Sequence, residues 1–98
     1  MASNLDELQV KVETPEGVIW EGLAQSVSSR NSAGPFDLLP EHANMITLIE
    51  NQPIVIVSSA GEQRLNFMKA VISVRDNVVS IHADIFSSEE SGSAPKAR

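Results

Sequence analysis

Gly34-Pro35-Phe36-Asp37-Leu38-Leu39-Pro40-Glu41-His42-Ala43 interrupts a chain whose other segments alternate apolar and polar residues. Pro35 and Pro40 each fix φ near −65° and lack a backbone donor, while Gly34 can take angles closed to other residues. The composition therefore predicts a loop held in one bent shape. Phe36, Leu38 and Leu39 make it apolar, so it is either packed inward or presented to a partner.

On the N-terminal side, Leu8, Val10 and Val12 alternate with Gln9, Lys11 and Glu13. A period of two gives a strand with one buried and one wet face. Pro15-Glu16-Gly17 reads as a turn, residues 18–21 as a returning strand, and Gly22 as a bulge or bend. Residues 23–29 follow, with Val27 as the inward candidate. On the C-terminal side, residues 44–49 form a strand that is apolar on both faces. A two-layer sandwich buries only one of them, so the excess at Phe36, Met45, Ile46 and Leu48 predicts an interface.

Ile54-Val55-Ile56-Val57 is β-branched throughout and starts after Pro53, a position where strands tolerate proline. Gly61-Glu62 turns it into residues 63–68, and a separate stretch covers 70–75. Asp76-Asn77 is a turn pair tolerant of left-handed angles, and residues 78–86 close the set with Val79, Ile81, Ala83 and Ile85 on one face. No helical period interrupts this series. The expectation is an all-β chain, a single small β-sandwich or flattened barrel of about eight to ten short strands. Residues 1–7 are expected as a flexible N-terminus, 8–86 as the domain, and 87–98, rich in Ser, Gly and Pro, as a disordered tail.

With 98 residues and 42% hydrophobic content, the chain suits one small domain. The absence of cysteine excludes disulfides and thiolate metal sites. A net charge of −6 with seven scattered Lys and Arg argues against nucleic acid and against adsorption to anionic lipid. The first residues do not read as a signal peptide, and no window approaches the ~20 apolar residues of a membrane span.

Ser80, His82 and Asp84 have the residue types of a hydrolytic triad, yet they alternate along one strand. A triad needs members converging from different elements, so a solvated strand face is the better reading. His42 and His82 lack the companions of a metal site. Asp37 and Glu41 read as solvated loop acids, Trp20 as a core or edge anchor, and no phosphate-binding glycine loop is present. The residues thus imply no catalytic group and no cofactor.

Leu8-Gln9-Val10-Lys11-Val12-Glu13-Thr14-Pro15, followed by Trp20-Glu21-Gly22, then Phe36-x-Leu38-Leu39-Pro40-x-His42-Ala43, and finally Val78-Val79-Ser80-Ile81-His82-Ala83-Asp84, resembles in order and spacing the ε subunit of F-type ATP synthases. The resemblance covers residues 8–84 and departs from the family pattern at Pro35 and Asp37. It is to the sandwich domain, and the expectation is a short form without the family's C-terminal helical hairpin. It implies a non-catalytic subunit of the rotor's central stalk, joining the γ subunit to the c ring at the cytoplasmic face of a bacterial plasma membrane, with membrane contact only through the complex. On this reading Arg30, Asn31, Ser32, Ala33, Gly34, Pro35 and Phe36 face the c ring, and His42, Ala43, Met45, Ile46 and Leu48 lie near γ. The alternative is a stand-alone adaptor or small-ligand β-domain.

Overall fold

The structure is a computed structural model and describes residues 7–86. The expectations of a flexible stretch before residue 7 and a disordered tail after residue 86 lie outside the described residues. Eight strands follow in order: β1 (Leu8–Thr14), β2 (Gly17–Ala24), β3 (Ser26–Asn31), β4 (Gly34–Leu38), β5 (Met45–Glu50), β6 (Pro53–Ser58), β7 (Gly61–Arg75) and β8 (Val78–Phe86). No helix occurs among the described residues.

The strands hydrogen-bond in the order β2-β1-β8-β7-β6-β3-β4, with β5 added to β7. β7 is the hinge of this arrangement. Its first half, residues 61–66, pairs with β6, and its second half pairs with β8 on one side and β5 on the other. One layer is therefore β2-β1-β8-β7-β5 and the other is β7-β6-β3-β4, a sandwich that does not close into a barrel. The chain passes between layers at Gln25, whose N–H donates to the Val57 carbonyl at 2.7 Å.

Alternation places Leu8, Val10 and Val12 from β1, Ile72 and Val74 from β7, and Val79 and Ile81 from β8 in the core. Val27, Leu38, Ile54 and Ile56 meet them from the other layer. Among the described residues no polar or charged side chain is buried, so the core incurs no desolvation cost from polar groups. Trp20 packs on this cluster from the edge strand β2. A Cβ at Gly22 would lie 3.3 Å from the indole of Trp20, so glycine leaves room for the ring. Gly22 accordingly sits inside β2 and does not break it, contrary to the expected bend; the bulge falls instead at Ile19, opposite the step from Val12 to Glu13.

Two further expectations are corrected. Residues 63–75 form one strand, because the irregularity at Met68 and Lys69 shifts the register without ending the pairing. Both side chains are exposed, and this doubled exposure breaks the alternation that reading by period relies on. The first half of the proline-rich run is also a strand, since Gly34–Leu38 pairs antiparallel with β3. β4 is the outermost strand of its layer, where a missing N–H at Pro35 costs little.

Three of the hairpins close in one way. Thr14, Asn31 and Ser58 each accept, through a side-chain oxygen, the N–H two residues on, and a glycine follows at φ 127, 124 and 122° respectively. These angles are open to glycine and strained for other residues. The β7–β8 hairpin differs: Asp76 and Asn77 both have positive φ, 49 and 66°, the mirror-image turn that matches strand twist.

Candidate partner-binding surface

The β3–β4 hairpin carries the first group of expected site residues. Arg30 and Pro35 pair on its outward face beside Ser28, whose hydroxyl donates to Asp37 Oδ1 at 2.6 Å. Phe36 turns the other way and packs on the core, so it is half-buried rather than displayed by a loop. At the tip, Asn31 accepts the Ala33 N–H at 2.9 Å and donates through Nδ2 to Thr47 Oγ1 at 2.9 Å. That second bond ties the hairpin to β5 across the two layers.

Residues 39–44 carry the second group. Leu39-Pro40-Glu41-His42 is a tight turn in which the His42 N–H donates to the Leu39 carbonyl at 3.0 Å. Pro40 presets the second position, and Glu41 occupies the third at φ 71°. The His42 ring places Nδ1 2.7 Å from the Ala43 carbonyl, which orients the imidazole along the backbone. Two amides fasten this turn to the β7–β8 hairpin: Asn77 Oδ1 accepts the Glu41 N–H at 2.6 Å, and Asn44 Oδ1 accepts the Asp76 N–H at 3.0 Å. Sequence reading assigned neither asparagine a role at the surface.

β5 links the two groups. Met45 and Ile49 face inward, Met45 in contact with the core, whereas Ile46 and Leu48 point outward at 72% and 50% exposure. Ladder pairing fixes their neighbours. Leu48 lies in a row with Val71, His82 and Glu13; Ile46 lies in a row with Ser73, Ser80 and Lys11. The hairpin tip and β5 also share a cleft of about 250 Å³ lined by Arg30, Asn31, Ser32, Thr47, Leu48 and Glu50. The residues expected to face two different partners therefore meet along this cleft, while His42 and Ala43 sit before the start of β5, in the segment fastened to the β7–β8 turn.

Ser80, His82 and Asp84 do not converge. His82 Nδ1 is 3.2 Å from Glu13 Oε1 on the neighbouring strand, and Glu13 also stands 3.7 Å from Lys11 Nζ. Ser80 and Asp84 only share the outward side of β8 with His82, as alternation requires. Among the described residues no group of three His, Cys, Asp or Glu could hold a metal ion. What this surface offers is shape, apolar area on β5 and fixed loops, the properties of a docking face.

The profile of a known protein family, the β-sandwich domain of the ATP synthase delta/epsilon chain, matches residues 7–89. The chain belongs to that family. An ATP synthase epsilon chain from Endomicrobium trichonymphae is 26% identical over 80 residues, a span of 82% of this chain and 58% of that relative. This sequence thus covers little more than half of the relative's length. Two solved structures share the fold. A chain in the Euglena gracilis mitochondrial ATP synthase, solved as OSCP/F1/c-ring in rotational state 1, superposes with a TM-score of 0.74 at 14% identity, covering 83% of this chain and 53% of that one. A chain in the central stalk/c-ring structure of the Tetrahymena thermophila mitochondrial ATP synthase superposes with a TM-score of 0.72 at 12% identity, covering 90% and 72%. The delta/epsilon family and its sandwich account for the layered core and the hairpin order described above.

Proposed function

We propose that this chain is a non-catalytic subunit of the central stalk of a rotary, ion-translocating ATP synthase, seated between the γ subunit and the c ring and helping to couple ion flow to ATP synthesis. The observation that carries the reading is the outward pair Ile46 and Leu48 on β5, a strand paired on one side only among the described strands. Family membership supplies the class of partner, and the two solved assemblies that share the fold are an OSCP/F1/c-ring assembly and a central stalk/c-ring assembly. In this reading residues 30–35 face the c ring, with Phe36 packed behind them on the core, and His42, Ala43, Ile46 and Leu48 face γ. Met45 supports that face from behind, through the core.

The domain makes and breaks no bonds. Its contribution is stiffness: a wholly apolar core and an inter-layer hydrogen bond between Asn31 and Thr47 resist shear under torque. The location that follows is peripheral, at the cytoplasmic face of a bacterial plasma membrane, with the membrane reached only through the complex. The net charge of −6 fits protein partners better than nucleic acid.

Retention on purified rotor complex depleted of this chain tests the reading. Ile46→Asp places an unpaired charge in the contact and removes the burial of one aliphatic side chain, a loss of about 2 kcal/mol or more and roughly thirtyfold in affinity. Parental retention of that variant overturns the assignment of β5 as the docking strand. Absence of binding by the unaltered chain overturns the stalk reading and favours the stand-alone adaptor.

A further inference from the structure

Three hairpins spend a side-chain oxygen of Thr14, Asn31 or Ser58 on their own turn. The β7–β8 turn does not. Asn77 sends its side-chain oxygen to the backbone of Glu41, 36 residues earlier, while its carbonyl accepts the Gln9 N–H at 2.8 Å. The reciprocal bond from Asp76 N–H to Asn44 makes a two-point clamp between the β7–β8 turn and residues 39–44.

Glu41 gives the clamp its purpose. At φ 71° it occupies left-handed space that a side chain disfavours, and Pro40 presets only its own position in the turn. The bond from the His42 N–H to the Leu39 carbonyl closes the turn, and the acceptor on the Glu41 amide fixes the closed turn against the β7–β8 hairpin. Neither bond of the clamp belongs to the core, for Asn77 is half-buried and Glu41 and Asn44 are exposed. The clamp therefore fixes loop shape more than it stabilises the fold.

We propose that Asn77 is a positioning residue for partner binding, its amide oxygen holding residues 39–44 in the one shape in which His42, Ala43 and the start of β5 meet the partner. The proposal rests on the central-stalk reading. A loop that holds its docking shape only part of the time loses apparent affinity in proportion, and the loss falls on association.

Asn77→Gly tests this, because glycine suits the left-handed turn position while removing the acceptor. Asn77→Asp keeps an oxygen in place. Two quantities are read: amide hydrogen exchange at Glu41 and His42 in the isolated chain, and association and dissociation rates on rotor complex depleted of this subunit. For Asn77→Gly the expected result is exchange faster by about tenfold at Glu41, association slower by about three- to tenfold, and unchanged dissociation and melting temperature. Asn77→Asp restores both. Unchanged exchange in Asn77→Gly shows that the clamp does not hold the turn, and faster exchange with parental association shows that the clamp positions nothing; either result overturns the proposal. If the unaltered chain does not bind the rotor at all, the stalk reading falls and takes the proposal with it, an outcome told apart from the others by the unaltered chain alone.

Discussion

The outward surface of the β2-β1-β8-β7-β5 layer is built differently at its centre and at one edge. At the centre, Lys11, Glu13, Ser80 and His82 form a polar band in which Glu13 is shared between a lysine and a histidine. At the β5 edge the same rows end in Ile46 and Leu48. Both regions sit on the same pleat, over the same core, with the same alternation. Solubility accounts for this polar band, although Val71 and the exposed Val78 share the outward face with it. It does not account for the edge, where an exposed isoleucine and leucine stand on a strand that hydrogen-bonds on one side only, a placement that proteins ordinarily blunt with charge. The contrast agrees with the docking role proposed for β5, although the opposite edge strand β2 also exposes Val18, Ile19 and Leu23.

The largest effect is expected from moving a charge from one face of β5 to the other. Ile49 is fully buried and Ile46 is exposed, three residues apart on one strand. Ile49→Asp should prevent folding, since an unpaired buried carboxylate costs several kcal/mol against a total stability of about 5–15 kcal/mol. Ile46→Asp should leave the melting temperature of the isolated chain within a few degrees of parental while weakening retention on the rotor by roughly thirtyfold. Thermal unfolding followed by circular dichroism separates the two. Unfolding of Ile46→Asp would return Ile46 to the core and erase the contrast between centre and edge.

A smaller effect tests whether the edge is stiff as well as apolar. Thr47→Val keeps the shape of the side chain and removes the acceptor that Asn31 reaches across the layers. The cost should be about 1 kcal/mol, visible as a lower denaturant midpoint at unchanged slope. A neutral result would mean that the hairpin tip is held by its own turn, in which Asn31 also takes part.

Much of this contrast is legible in the sequence. The alternation of Leu8, Val10 and Val12 and of Val79, Ile81 and Ala83 predicts inward faces that are buried, and adjacent Met45 and Ile46 predict a strand with an apolar excess. Three features were hidden for physical reasons. Pro35 suggests a loop, yet an edge strand accepts proline, and edge status is a property of the sheet rather than of local sequence. The irregularity at Met68 and Lys69 presents two exposed neighbours and imitates a break. The Asn77 clamp joins residues 36 apart, and an asparagine in a turn already has a local explanation, so nothing in the sequence calls for a distant one. Hydrogen bonds between loops are set by tertiary placement, which periodicity cannot report.

The smallest expected effect concerns the polar band itself. Glu13 and His82 are 3.2 Å apart, with side chains 32% and 61% exposed, so water screens the pair and both side chains lose freedom in forming it. Glu13→Gln, His82→Gln and the double variant form a cycle whose coupling should be below about 0.5 kcal/mol near neutral pH. Retention on the rotor should be parental for all three, because the band lies one strand beyond the β5–β7 rows that carry the apolar contact. Weak coupling with full retention makes the centre a solvated face and leaves docking to the edge. Strong retention loss in the single variants would mean that the partner covers the whole outward surface, and that Ile46 and Leu48 are the rim of a larger footprint rather than its centre.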